Sequence, residues 1–129
     1  MKILAFATAI FLALVPSASA HHTVAKTVNT SKLVSLTGVV TSVRWQNPHV
    51  IYHLSVPGEV GIDWEIESRH IAGMRRDGVE QGTIKVGDHV TMNVMLARDG
   101  SHHAATKSIV LTNGRTLHVC TVTYDACPS

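Results

Sequence analysis

Short runs of alternating apolar and polar positions recur along the chain, the pattern of half-buried strands. The cleanest is Ile62 to Glu67, with Ile62, Trp64 and Ile66 on one side and Asp63, Glu65 and Glu67 on the other. His49 to Val56 repeats it, with Val50, Tyr52, Leu54 and Val56 on one face. Asp88 to Ala97 directs Val90, Met92, Val94 and Leu96 inward. Lys32 to Trp45 is rich in Val, Thr and Ser and predicts a long strand through Leu36 and Val40. Gly38 marks a bend or bulge inside it. Ala104 to Leu111 and Thr116 to Val122 add two further strands. Asn47-Pro48, Pro57-Gly58 with Gly61, Arg98-Asp99-Gly100-Ser101 and Asn113-Gly114 supply the turns. Between the third and fourth strands the period lengthens. Ser68 is placed to cap a short helix to about Arg76, burying Ile71 and Met74, with Gly78 as its stop. Residues 79–87 read as a loop.

Three strands, one short helix, two strands and a final hairpin arm define an all-β protein. The order is that of a small OB-like Greek-key barrel of five strands plus a C-terminal hairpin arm, with the helix between strands three and four. A different small barrel or sandwich is the competing arrangement. Residues 32–118 form the barrel domain in this reading. Residues 21–31 (HHTVAKTVNTS) are polar, have no clear period and read as a flexible arm. Residues 119–129 form a tail.

The first twenty residues have a different character. Lys2 precedes an apolar run from Ile3 to Val15, Pro16 and Ser17 break it, and Ala18-Ser19-Ala20 forms an A-x-A cleavage site. This is the pattern of a secretory signal peptide, implying export to the periplasm and an oxidising compartment. Cleavage after Ala20 would expose His21 as an N-terminal residue, whose amine and imidazole can chelate one ion. No other apolar run approaches the roughly 18 residues of a membrane span.

Charge narrows the functional classes. Lys2 is the only charge in the leader, so residues 21–129 carry ten Lys and Arg against nine Asp and Glu. Such a balance has no basic stripe and gives no case for nucleic acid. The strong bias is histidine: His21, His22, His49, His53, His70, His89, His102, His103 and His118. Imidazole suits copper, zinc and nickel, although solvated surface histidine accounts for many such residues. Cys120 and Cys127 are the only cysteines, with six residues between them. In an oxidising compartment they predict a disulfide pinning the tail. A thiolate pair for a soft metal is the alternative, though the spacing is wider than C-x-x-C.

Val43-Arg44-Trp45-Gln46-Asn47-Pro48-His49, Trp64-Glu65-Ile66-Glu67, Ala97-Arg98-Asp99-Gly100-Ser101 and the His-His opening resemble a family of small exported bacterial proteins. That family is described only as a domain of unknown function. The likeness runs from about His21 to Leu117, and its most specific piece is the W-x-N-P-H string. It implies a periplasmic protein of a Gram-negative bacterium and carries no activity with it. The cysteine tail looks like an addition to the pattern.

Two constellations are candidates for binding. In an OB-like barrel the loops bearing His49 and His102-His103 flank the usual binding face. The arm could bring His21 and His22 to them. An amine with two or three imidazoles suits Cu(II), with zinc as runner-up. The second constellation lies on strands two and three. The five-residue turn from Pro57 to Gly61 sets His53 opposite Glu65 and Ser55 opposite Asp63. His53, Asp63 and Glu65, supported by Trp64, then form a face for a small ligand or a periplasmic protein partner. An ordinary cross-strand pair is the plainer reading of His53 and Glu65. Catalysis has little support: there is no G-x-S-x-G string, no phosphate-cradling loop and no spare cysteine.

Overall fold

The computed structural model describes residues 27–121. It contains β1 (Val28–Arg44), β2 (Ile51–Ser55), β3 (Asp63–Glu67), α1 (Ile71–Arg76), β4 (His89–Ala97), β5 (His103–Leu111) and β6 (Thr116–His118). The sheet order is β3-β2-β1-β4-β5-β6, and β3 also pairs with β5. That last pairing is parallel and closes five strands into a ring, β1-β2-β3-β5-β4. β6 adds to the outer edge of β5 as the predicted hairpin arm. No helix among the described residues is long and apolar enough to cross a membrane.

The alternating runs bury the faces expected of them. Tyr52 and Leu54 from β2, Trp64 and Ile66 from β3, and Val90, Met92 and Val94 from β4 form one core with Leu36 and Val40. Ile62 is a departure. It lies outside β3 and is exposed, because the turn ends with the Ile62 N–H donating to the Glu59 carbonyl.

Two strands change phase, and bulges are the cause. In β1 the register passes from Val40↔Leu54 to Ser42↔His53, so Thr41 is the extra residue. Apolar contacts then switch from Val34, Leu36 and Val40 to Val43 and Trp45. In β5 the register passes from Asn93↔Ser108 to Val94↔Thr106, leaving Lys107 unmatched. Ala104 and Ile109 therefore both face the core despite their odd separation. The opposite face of β5 meets a smaller cluster of Ala105, Met95 and Val28.

β1 begins at Val28 rather than Lys32, so four residues assigned to the arm belong to the sheet. Val28 is fully buried, which is what holds this stretch down. Gly38 does not form the bulge; that role falls to Thr41. Gly38 lies where β1 passes from β4 to β2, and a Cβ there would strike the Ser55 carbonyl.

The predicted helix is present but starts later. Ser68 does not cap it; its buried hydroxyl donates to the Met74 sulfur. Met74 is fully buried, and Val79 and Ile84 from the following loop join the same core. The loop is held by Val40, whose N–H donates to Asp88 and whose carbonyl accepts from Gly87.

Two stability outcomes follow from this packing. Gly38→Ala forces a methyl against backbone and should cost about 2–3 kcal/mol, read as a lower urea midpoint. Burial pushes the Tyr52 phenol well above its ordinary range. The unfolded phenol ionises near about pH 10, so the unfolded chain releases a proton that the folded one keeps. Stability should therefore fall as pH rises through that region, and Tyr52→Phe should flatten the fall in urea titrations at alkaline pH.

Candidate functional site: a row of histidines and carboxylates

The register of β2 and β3 is the predicted one, with His53↔Glu65, Leu54↔Trp64 and Ser55↔Asp63. Side chains alternate across a strand, so His53, Glu65 and Glu67 share the outer face while Trp64 and Ile66 turn inward. The parallel pairing with β5 places His103 beside Glu65 and Ala105 beside Glu67. The chain before β2 then delivers His49 to the same edge.

A continuous row results. His53 Nε2 lies 3.3 Å from Glu65 Oε2, and His103 Nδ1 lies 3.3 Å from Glu65 Oε1. The other ring nitrogen of His103, Nε2, lies 3.5 Å from Glu67 Oε2. Glu67 Oε1 contacts His49 Nδ1. Three imidazoles thus alternate with two carboxylates across three strands. Glu67 is the more enclosed carboxylate, at 13% exposure against 45% for Glu65. Its main-chain carbonyl is also fixed, accepting 2.9 Å hydrogen bonds from the hydroxyls of Thr106 and Thr121.

His102 and His103 do not act as a pair. His102 turns to the β2–β3 turn, where its Nε2 lies 3.6 Å from Glu59 Oε2. The same oxygen accepts the Trp64 indole N–H at 2.5 Å, and the Trp64 and His102 rings meet edge to face at 4.8 Å. Trp64 is therefore a core residue that anchors His102 rather than part of the His53 face. Asp63 also stands apart, accepting the hydroxyl of the bulged Thr41. His89 and His118 are exposed, and His70 occupies the N-cap of α1. His21, His22 and Cys127 lie outside the described residues. Cys120 is partly buried and is not a free thiol.

The W-x-N-P-H string positions this edge. Asn47-Pro48 is a cis peptide, and Asn47 Oδ1 accepts the Ile71 N–H at 3.1 Å. Asn47 thus supplies from a distant loop the helix cap expected of Ser68. Val50 continues the anchorage, donating to the Arg69 carbonyl and accepting from Ser68. In the Arg98-Asp99-Gly100-Ser101 turn, Asp99 accepts both the N–H and the hydroxyl of Ser101. The Ser101 hydroxyl is the main reason that the Asp99 carboxyl is held below its ordinary range.

Among the described residues, no three His, Cys, Asp or Glu side chains converge where a metal ion could be held. The row instead pairs each ring with a carboxylate. Such pairing orients an imidazole, and the His49 contact through Nδ1 leaves Nε2 for another partner. Glu59 and Glu67 were not among the candidates from sequence. Glu67 had a signal, since it shares the polar face of its strand with Glu65. Glu59 had none, lying in a turn.

The fold and row define a small closed β-barrel with a histidine–carboxylate face. The chain belongs to a family of unknown function, DUF6152, which it matches over residues 10–106. The match includes W-x-N-P-H, β3 and the Arg98–Ser101 turn, and ends before β6 and the cysteines. Neither a curated protein nor a solved structure matches the chain.

Replacing Asn47 by Ala should remove the cap and cost about 1 kcal/mol, measured as a lower urea midpoint. If Asn47 served only the turn, the amide of Ile71 would show no faster hydrogen exchange in this variant.

Proposed function

We infer that the protein is an exported, periplasmic binding protein of the OB type, and that it captures a metal ion, copper in preference to zinc. The observation that carries the reading is Glu67, which contacts both His49 and His103. One carboxylate thereby joins the two imidazole-bearing segments that the metal hypothesis requires. The strand order, with a parallel β3–β5 closure and the helix between β3 and β4, supports the OB assignment.

The ligand set completes itself from the N-terminus. The Thr27 carbonyl accepts the Arg98 N–H at 2.8 Å, and Val28 pairs with Ala97. Ala97 ends β4, whose neighbour across the hairpin is β5, with Leu96 opposite Ala104. Val28 is thus about two strand spacings, roughly 10 Å, from His103. His21 precedes Thr27 by six residue steps, which can span up to about 20 Å. With the signal peptide removed after Ala20, the His21 amine and ring are within reach of His49. Those nitrogens, with His49 Nε2 and support from His22 or His103, make a set suited to Cu(II). Glu67 then orients His49 from behind. His102, tied to Glu59 and Trp64, is left out of this set. A Cys120–Cys127 disulfide fits the same compartment.

A second reading draws on a specific observation: each ring of the row already faces a carboxylate, and among the described residues no trio converges on one point. In that reading His53, Glu65 and their neighbours bind a non-metal ligand or an exported protein directly.

Calorimetric titration of copper into protein beginning at His21 distinguishes the two. The metal reading expects a Kd tighter than about 1 μM. It also expects roughly 10–100-fold weakening in Glu67→Gln, and loss when one residue is added before His21. Copper and zinc binding no tighter than micromolar would overturn it. The second reading expects partner binding to survive His21→Ala and to fail in Glu65→Ala.

A further inference from the structure

A cavity of about 310 Å³ lies between β1 and the end of β4, lined by Asn29, Lys32, Leu96, Ala97 and Arg98. None of these residues belongs to the histidine–carboxylate row. The cavity has its origin in the strand register. From Val28↔Ala97 to Leu33↔Met95, β1 advances five residues while β4 advances two. The surplus chain bows away from its partner, as at a bulge of several residues, and opens a space between the strands. A local turn in which Asn29 Oδ1 accepts the Ser31 N–H shapes the bowed segment.

The lining is chemically divided. Leu96 and Ala97 supply an apolar part; Leu96 also packs against the main core, and Ala97 is the strand partner of the buried Val28. Lys32 and Arg98 supply two positive charges, and among the described residues neither has an ion pair. The acid adjacent to Arg98 forms no ion pair with it; Asp99 is turned to Ser101. Two cations without carboxylate partners beside an apolar wall favour a ligand with the complementary division. The size is at the lower end for small-molecule sites, about 300 Å³.

We propose that this cavity binds a small organic anion, its carboxylate between Lys32 and Arg98 and its short apolar chain along Leu96 and Ala97. The guanidinium fork matches a carboxylate in two-point contact, and the ammonium adds a point charge. The site is independent of the metal reading and needs none of its ligands.

The test is an NMR titration of the purified protein with hexanoate, acetate and inorganic phosphate. Hexanoate should saturate with a Kd of about 1 mM or tighter, moving the amide signals of Leu96 and Ala97. It should bind roughly tenfold more tightly than acetate or phosphate, since only its chain can use the apolar wall. Lys32→Gln and Arg98→Gln should each weaken it by about tenfold, with unchanged circular dichroism. The proposal fails if hexanoate does not saturate, if acetate or phosphate binds as well, or if both variants bind it normally.

Discussion

The parallel pairing of β3 with β5 is the constraint on which the rest of this structure depends. Without it the six strands are an open sheet with β3 at one end. With it, the Glu65 N–H reaches the His102 carbonyl at 2.9 Å, and the sheet curls into a ring with one shared interior. Closure brings two segments, each polar on one face, edge to edge. His103 thereby joins the His53–Glu65 and His49–Glu67 contacts of the β2–β3 pair, and the continuous row is the consequence. The buried Thr106 hydroxyl strengthens the seam by fixing the Glu67 carbonyl, so that side-chain contacts of Glu67 rest on a held backbone.

Bulges do much of the remaining shaping. An extra residue at Thr41 and another at Lys107 reverse which side of the strand faces the core, allowing long strands to bend around a small barrel. The wider irregularity between Val28 and Leu33 does something different, opening a cavity instead of turning a strand. The barrel interior is completed by Met74, Val79 and Ile84, residues of a six-residue helix and a loop. So short a helix has little stability of its own. It holds because Met74 is buried and because Asn47 satisfies its first amide.

A row of imidazoles and carboxylates at the outside of a barrel is a different object from a buried charge pair. Its members are partly solvated, so each contact is worth little alone. Their value is in orientation. For His49 and His53, Glu67 and Glu65 fix which ring nitrogen is engaged and which is left outward, while His103 is held through both. Such ordering is useful to an approaching ion or ligand because the cost of arranging the rings has been met in folding.

Strand identity, the facing of His53 to Glu65 and the short helix between β3 and β4 were legible in the amino-acid order. Each depends on local rules: period-two alternation, a turn of fixed length, a change of period. Phase in β1 and β5 was not legible, because a bulge reverses the alternation without a residue type of its own. The helix cap differs from the expected Ser68 for a related reason, since only the fold brings Asn47 to Ile71. The sequence by itself determined a β-rich chain, the inward faces of β2, β3 and β4 and the chemistry available on their outward ones. Only the tertiary structure decided that His103 joins Glu65 and Glu67, that His102 parts from it toward Trp64, and that His49 ends at Glu67. The reason is physical: the partners of His102 and His103, dozens of residues away, are chosen by ring closure, and that of His49 by the path of the chain into β2, conditions to which local periodicity is blind.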